Sequence, residues 1–214
     1  MTARKENNSV GTQDERRVEM IAVDWGVAQK NARREVVCGD AYVMAERGDE
    51  CLWAVIDGAG HGRGAHVVAA EAAALIRTHA FERALEEMIR QIHEMLRGRR
   101  GVAVSLLRLR LADARLEFVG VGNVELRSHG PTGINPVPVA GILGRALRRL
   151  KRYTYTVQPG DFLALFSDGI SSRFSIDRYA MLPAAQAAQR IVTEQHKPID
   201  DGTCVALRVI ESAR

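Results

Sequence analysis

The order in which the hydrophobic period changes along the chain most restricts its fold. Two short apolar runs, 41–45 and 51–56, flank the turn Arg47-Gly48-Asp49, the pattern of a β-hairpin. The spacing then becomes helical, with Val67, Val68, Ala72, Leu75 and Ile76 on one face. A second helix is predicted over 82–96, with Gly98 as its stop signal. Strand-like runs follow at 102–111, 116–121 and 124–128, and again at 153–157 and 162–166 around Gln158-Pro159-Gly160-Asp161. One more helix starts near Pro183, where proline suits a first turn, and 203–210 closes the chain as a strand. A first strand is predicted at 18–23, and 26–39 reads as a loop. Helices set apart from runs of short-turned strands give an α+β class. The β-α-β-α alternation of a parallel doubly wound sheet is missing.

Composition narrows the class further. The 214 residues are 46% hydrophobic and 26% charged, which supplies a core for one domain and excludes a disordered chain. The expected organisation is a polar tail over 1–17 followed by a single domain over 18–214. No apolar run reaches the roughly 18 residues of a membrane span. Met1 to Gln13 holds no apolar signal core, so a cytoplasmic protein with no membrane partner is expected. The cysteines, Cys38, Cys51 and Cys204, are odd in number and form no CxxC, which speaks against a zinc ribbon or a disulfide framework. The net charge of +4 is a mild excess and only 5% of residues are aromatic, so no nucleic-acid partner is expected. Much of the excess falls in one run, Arg145, Arg148, Arg149, Lys151 and Arg152. It reads as a solvated face, or as a dock for an acidic or phosphorylated protein.

The chemistry-bearing feature is a set of aspartates at the ends of predicted strands. Asp40 precedes one in Cys38-Gly39-Asp40, and Asp57 ends another in Ile56-Asp57-Gly58. Asp168 ends a third in Phe166-Ser167-Asp168-Gly169, and Asp200-Asp201-Gly202-Thr203 leads into the last. Taken singly, an Asp-Gly pair is an ordinary turn. Taken together, carboxylates converging from several strand ends repel unless a cation neutralises them. Hard oxygen donors of this kind suit Mg²⁺ or Mn²⁺. Two such ions about 3.5–4 Å apart can serve phosphoryl transfer.

In order and spacing, Gly39-Asp40, Val55-Ile56-Asp57-Gly58-Ala59-Gly60-His61-Gly62, Phe166-Ser167-Asp168-Gly169 and Asp200-Asp201-Gly202-Thr203 resemble the metal-dependent Ser/Thr phosphatases (PPM), most of all their SpoIIE-like branch. Gly120-Val121-Gly122-Asn123, Gly141-Ile142-Leu143-Gly144 and Pro159-Gly160-Asp161 add to the likeness, which covers about 18–210. The resemblance implies an α-β-β-α sandwich of two antiparallel sheets flanked by helices. It implies two divalent cations, Mn²⁺ or Mg²⁺, with Asp57 bridging them and Gly58 ligating through its carbonyl. Asp168 and Asp200 would hold one ion and Asp40 the other, with Asp201 a weaker candidate than Asp200. The implied reaction is hydrolysis of phosphoserine or phosphothreonine on a signalling protein. Stand-alone members of this size suggest the STAS-domain proteins of the stressosome as partners and a monomer as the expected state. The phosphate-gripping basic residue stays unassigned, although Lys30, Arg33 and Arg34 lie near the first acidic motif.

His61 is a candidate proton donor to the leaving oxygen, because histidine titrates near neutrality. His79 and His93 read as surface or structural residues, and Ser105 and Ser167 have no partner pattern that would make a nucleophile. Three other readings compete. One is a phosphatase of an anti-sigma-factor antagonist. A second is a phosphatase-like binding module without turnover, which the intact aspartate set argues against. A third is a dinucleotide-binding enzyme, from the GxGxxA match Gly60-His61-Gly62-Arg63-Gly64-Ala65. That third reading needs a parallel strand ending in an acid about 20 residues on, where a helix is predicted instead.

Overall fold

Two face-to-face sheets separate the helices into outer layers. The computed structural model describes residues 21–212; the predicted tail, 1–17, and residues 18–20 of the predicted first strand lie outside the described residues. The strands are β1 (Ile21–Lys30), β2 (Asp40–Arg47), β3 (Glu50–Gly58), β4 (Val102–Arg110), β5 (Arg115–Val121), β6 (Glu125–His129), β7 (Tyr153–Thr156), β8 (Phe162–Phe166) and β9 (Gly202–Glu211). The helices are α1 (Gly62–His79), α2 (Leu85–Met95) and α3 (Ala184–Gln195). One sheet runs β1-β9-β8-β6 and the other β2-β3-β4-β5-β7, and every named strand pair is antiparallel. The α+β sandwich implied by the sequence is the architecture observed.

The alternation of side chains along β3 and β4 explains the layering. Leu52, Ala54 and Ile56 face one way and pack with Val68, Ala72 and Ile76 of α1 and Met88, Ile89 and Ile92 of α2. Trp53 and Val55 face the other way, into a core between the sheets that includes Phe118, Leu165, Val205 and Leu207. A strand buried on both faces reads as a continuous apolar run, which is what 51–56 shows. The third core, under α3, joins Ala187, Ala188 and Ile191 to Phe162, Phe166 and Ala206.

Two sequence expectations are corrected. The opening strand continues to Lys30, so residues 26–30 of the predicted loop 26–39 are strand and 31–39 are loop. Its polar end is held by full-length pairing with β9, from Ile21 opposite Glu211 to Lys30 opposite Gly202, which a single-strand period does not reveal. The dinucleotide reading fails on topology. After α1 and α2 the chain returns in β4, antiparallel to β3, so the parallel β-α-β unit that the fingerprint requires is not built.

Gly26 is where α3 rests on β1. A Cβ there would meet the Ala185 backbone nitrogen at 2.5 Å and the Ala185 Cβ at 2.8 Å. Gly26→Val should therefore push α3 off its sheet and lower stability by about 1–3 kcal/mol, the usual cost of overpacking. Urea denaturation checks this; an unchanged midpoint would mean that α3 does not pack here as described.

Candidate metal-dependent active site

Four aspartates meet at one end of the sandwich, and the strand register explains why. Asp40 opens β2 and stands directly opposite Asp57 near the end of β3. Like charges in that relation destabilise a strand pair. Asp168 follows β8 by two residues, and Asp200 and Asp201 precede β9, whose Cys204 pairs with Phe166 of β8. The β2–β3 ends of one sheet thus confront the β8–β9 ends of the other. Asp57, Asp168 and Asp200 line a cleft of about 420 Å³ together with Ala59, Gly60, Asn123 and Ile142. Among the described residues, no three acidic, histidine or cysteine side chains close into a ready-made ligand cage.

Their protonation records the confinement. Burial, then the charges of Asp40, Asp168 and Asp200, push Asp57 up from 3.8 to about 8. Burial also pushes Asp40 up to about 7, against the lowering effect of hydrogen bonds from Ser167 and Thr203. Asp200 is raised by burial and by Asp168 and Asp201, while His61 lowers it. A divalent cation is the natural compensation for such a set. Gly58 suits the same place, because a Cβ there would run into the Ala65 carbonyl of α1 and lie 2.7 Å from the Gly39 oxygen. Only glycine lets β3 carry its acidic end this close to α1.

The adjacent pair Asp200-Asp201 separates into two roles. Asp201 is buried, and its carboxylate accepts the backbone N–H groups of Ala32 at 2.9 Å and Gly39 at 2.8 Å. It fixes the loop that carries Asp40. Asp200 is half-buried, lines the cleft, and accepts the Asp201 N–H at 2.9 Å. A second brace runs through Ser167, which donates to Asp40 at 2.6 Å and accepts the Thr203 N–H at 2.9 Å. Gln29 of β1 in turn donates to the Thr203 hydroxyl and to the Asp40 carbonyl. Ser167 is therefore a hydrogen-bonding strut between the sheets.

His61 is the N-cap position of α1 and is exposed, with Nδ1 2.6 Å from Glu35 Oε1. It follows Gly60 of the cleft lining, and its charge lowers Asp200. Two neighbours were not singled out by sequence reasoning. Asn123 donates to Asp168 at 2.5 Å and also hydrogen-bonds Asp57. Its signal was a polar residue straight after Gly122 at the end of β5. Glu35, in the loop after β1, offered no signal beyond its charge. Lys30, Arg33 and Arg34 are exposed and do not line the cleft. His93 is structural, accepting the Gly144 N–H at 3.1 Å, and Ser105 donates to the Val124 carbonyl. The three cysteines are free and buried.

These roles predict opposite stability effects for neighbouring residues. Asp201→Ala leaves two buried N–H groups without an acceptor and should cost about 2–5 kcal/mol. Asp200→Ala, assayed without metal, should stay within about 0.5 kcal/mol of wild type. Equal losses in chemical denaturation would reverse the assignment. With chelator present, the raised values of Asp40 and Asp57 mean that between pH 4 and 8 the folded state holds protons the unfolded chain has released. Stability should therefore fall as pH rises through that window, and Asp57→Asn should flatten the slope. A flat profile in the wild type would contradict the confinement.

Residues 47–210 match the family model "Stage II sporulation protein E (SpoIIE)". The phosphoserine phosphatase RsbX of Bacillus subtilis (strain 168) is 29% identical over 147 residues, 68% of this chain and 73% of RsbX. A solved chain described under "The bacterial stressosome: a modular system that has been adapted to control secondary messenger signaling" superposes with a TM-score of 0.82 at 26% identity, covering 87% of this chain and all of that one. RsbX in complex with magnesium gives a TM-score of 0.79 at 24% identity, covering 87% of this chain and 95% of that one. The catalytic domain of the serine/threonine phosphatase PstP, solved with two manganese ions, shares the fold with a TM-score of 0.69 at 15% identity, over 89% of this chain and all of that one. With its two-sheet sandwich and its ordered aspartates, this chain belongs to the SpoIIE family of PPM-type phosphatase domains.

Proposed function

We propose that this chain is a cytoplasmic, metal-dependent phosphatase that hydrolyses phosphoserine or phosphothreonine on a signalling protein of a stressosome-type pathway. The observation that carries the reading is the register pair Asp40–Asp57, with Asp57 lining one cleft together with Asp168 and Asp200. RsbX, which acts on phosphoserine, and the stressosome chain support the substrate class. An anti-sigma-antagonist phosphatase would share this chemistry and differ only in partner, and the likeness to RsbX and to the stressosome chain supports the first partner. Among the described residues, no helix is long and apolar enough to cross a membrane.

The donor set fits two hard cations, Mg²⁺ or Mn²⁺. In this reading Asp57, the Gly58 carbonyl, Asp168, Asp200 and Asp40 would hold them. Bound there, the ions would neutralise the carboxylates and supply the activated water that phosphate-ester hydrolysis needs. The chain's own groups do the rest. Asn123 orients Asp168 through its 2.5 Å hydrogen bond. Ser167 aims Asp40 and favours its ionised form against the effect of burial, and Asp201 clamps the loop behind it. His61, held by Glu35 at 2.6 Å, would be the proton donor to the leaving seryl oxygen. The phosphoryl group passes to water directly, so no protein nucleophile is required.

Purified protein with Mn²⁺ should release phosphate from a phosphoserine substrate, and chelator should stop it. Asp57→Asn should lower kcat by about 100-fold or more, by analogy with the loss of a transition-state electrostatic partner. His61→Ala should lower kcat about 10–100-fold on a phosphoserine substrate and much less on p-nitrophenyl phosphate, whose leaving group needs no proton. No hydrolysis with ample metal, or full activity in Asp57→Asn, would sink the assignment.

A further inference from the structure

The basic run at 145–152 divides in two in the folded chain. Arg152 is consumed by ion pairs to Glu86 at 2.5 Å and Glu117 at 3.4 Å, and Lys151 sits over the Tyr153 ring at 4.3 Å. Arg145, Arg148 and Arg149 are exposed and make no salt bridge among the described residues, and neither does Arg90 of α2. Some surface arginines are paired, as Arg47 is with Glu82, Arg99 with Glu71, Arg110 with Asp113 and Arg190 with Glu194, and others such as Arg33, Arg34, Arg63 and Arg173 are not; what sets Arg90, Arg148 and Arg149 apart is that they share one depression. Arg90, Arg148 and Arg149 surround a depression of about 630 Å³ lined also by Leu147, Leu150, His93 and Glu94, the one carboxylate there being paired with Arg97 at 2.9 Å.

This basic depression is tied to the catalytic cleft by a short, well-held segment. Ile142 lines the cleft and its carbonyl accepts the Arg145 and Ala146 N–H groups at 3.1 and 2.8 Å. Leu143 is fixed to Val102 of β4 by reciprocal backbone hydrogen bonds, and Gly144 to His93 of α2. Leu147 and Leu150 pack against the α1–α2 core. The arginines therefore project from an anchored backbone, which lowers the entropic cost of engaging a partner.

We infer that Arg90, Arg145, Arg148 and Arg149 form a docking face for an acidic segment of the phosphoprotein substrate, next to the residue being dephosphorylated. The inference rests on the phosphatase reading and adds where the substrate is held outside the cleft. Charge complementarity selects the occupant. Unpaired guanidinium groups around a shallow apolar floor suit carboxylates carried on a polypeptide. Such a face raises the encounter rate and the preference for one substrate and leaves the bond-breaking step alone.

Two phosphoserine peptides test it, one flanked by aspartate and glutamate and one by serine and glutamine, with p-nitrophenyl phosphate as the small substrate. At low salt, kcat/KM for the acidic peptide should exceed that for the neutral one by about tenfold. The advantage should lie in KM and shrink at about 0.5 M salt. Arg90→Ser/Arg148→Ser/Arg149→Ser should erase it while p-nitrophenyl phosphate turnover stays at the wild-type rate. The control Arg110→Ser/Arg115→Ser, at the opposite end of β4 and β5, should keep it. Equal use of both peptides by the wild type, or an unchanged preference in the triple variant, overturns the docking face. Binding of the unphosphorylated acidic peptide by fluorescence polarisation, without metal, gives a second readout independent of turnover. Binding lost in the triple variant alone supports the face even if no substrate is hydrolysed, an outcome that would instead sink the phosphatase reading. Tighter binding of random-sequence duplex DNA than of the acidic peptide at 0.15 M salt would make this a nucleic-acid surface and overturn the proposal.

Discussion

Asp40 and Asp57 stand side by side on paired strands, and two carboxylates so placed repel. The rest of the site can be understood as what keeps that arrangement standing. Ser167 donates to Asp40 from the opposite sheet, Thr203 and Gln29 extend the brace to β9 and β1, and Asp201 ties down the Gly39 backbone just before Asp40. The bonds from Ser167 to Asp40 and from the Gly39 N–H to Asp201 cross from one sheet to the other, so the sandwich and the acidic centre are one structural unit. What they do not supply is compensating positive charge inside the cleft. The raised positions of Asp40 and Asp57 show that deficit, and a bound divalent cation is what removes it.

The fold was largely legible because β3, β4, β8 and β9 are apolar on both faces, and the helices keep a clear spacing between them. The period therefore changed where the elements changed. The end of β1 was not legible. Gln29 and Lys30 are polar, and they are strand because β9 lies alongside and because Gln29 has a task at the site. A tertiary partner decided that segment, and local pattern carries no record of it.

The candidate site was legible to the level of which turns, but not which atoms. Asp40, Asp57 and Asp168 each stand alone at a strand end, so position identified them. Asp200 and Asp201 are neighbours in a turn, and one step along the chain moves a side chain from the cleft to the interior. Only the N–H groups of Ala32 and Gly39, far away in sequence, reveal that Asp201 faces inward. Asn123 and Ser167 were hidden for the same reason. Each acts by holding an aspartate 45 or 127 residues distant.

Net charge was the most misleading of the sequence quantities. An excess of +4 conceals two opposite fields, an acidic cleft and a basic rim, that nearly cancel in the total. Their juxtaposition has a physical consequence for a phosphate-ester substrate. Without cations the cleft repels the phosphate dianion, and only the rim attracts the protein that carries it. With cations bound the cleft and the rim favour the same ligand. Metal loading would then control substrate attraction as well as the chemical step, and the rim would bias which phosphoprotein arrives. Fixed arginines on an anchored segment can do this without any moving part, since the field of the rim acts before contact is made.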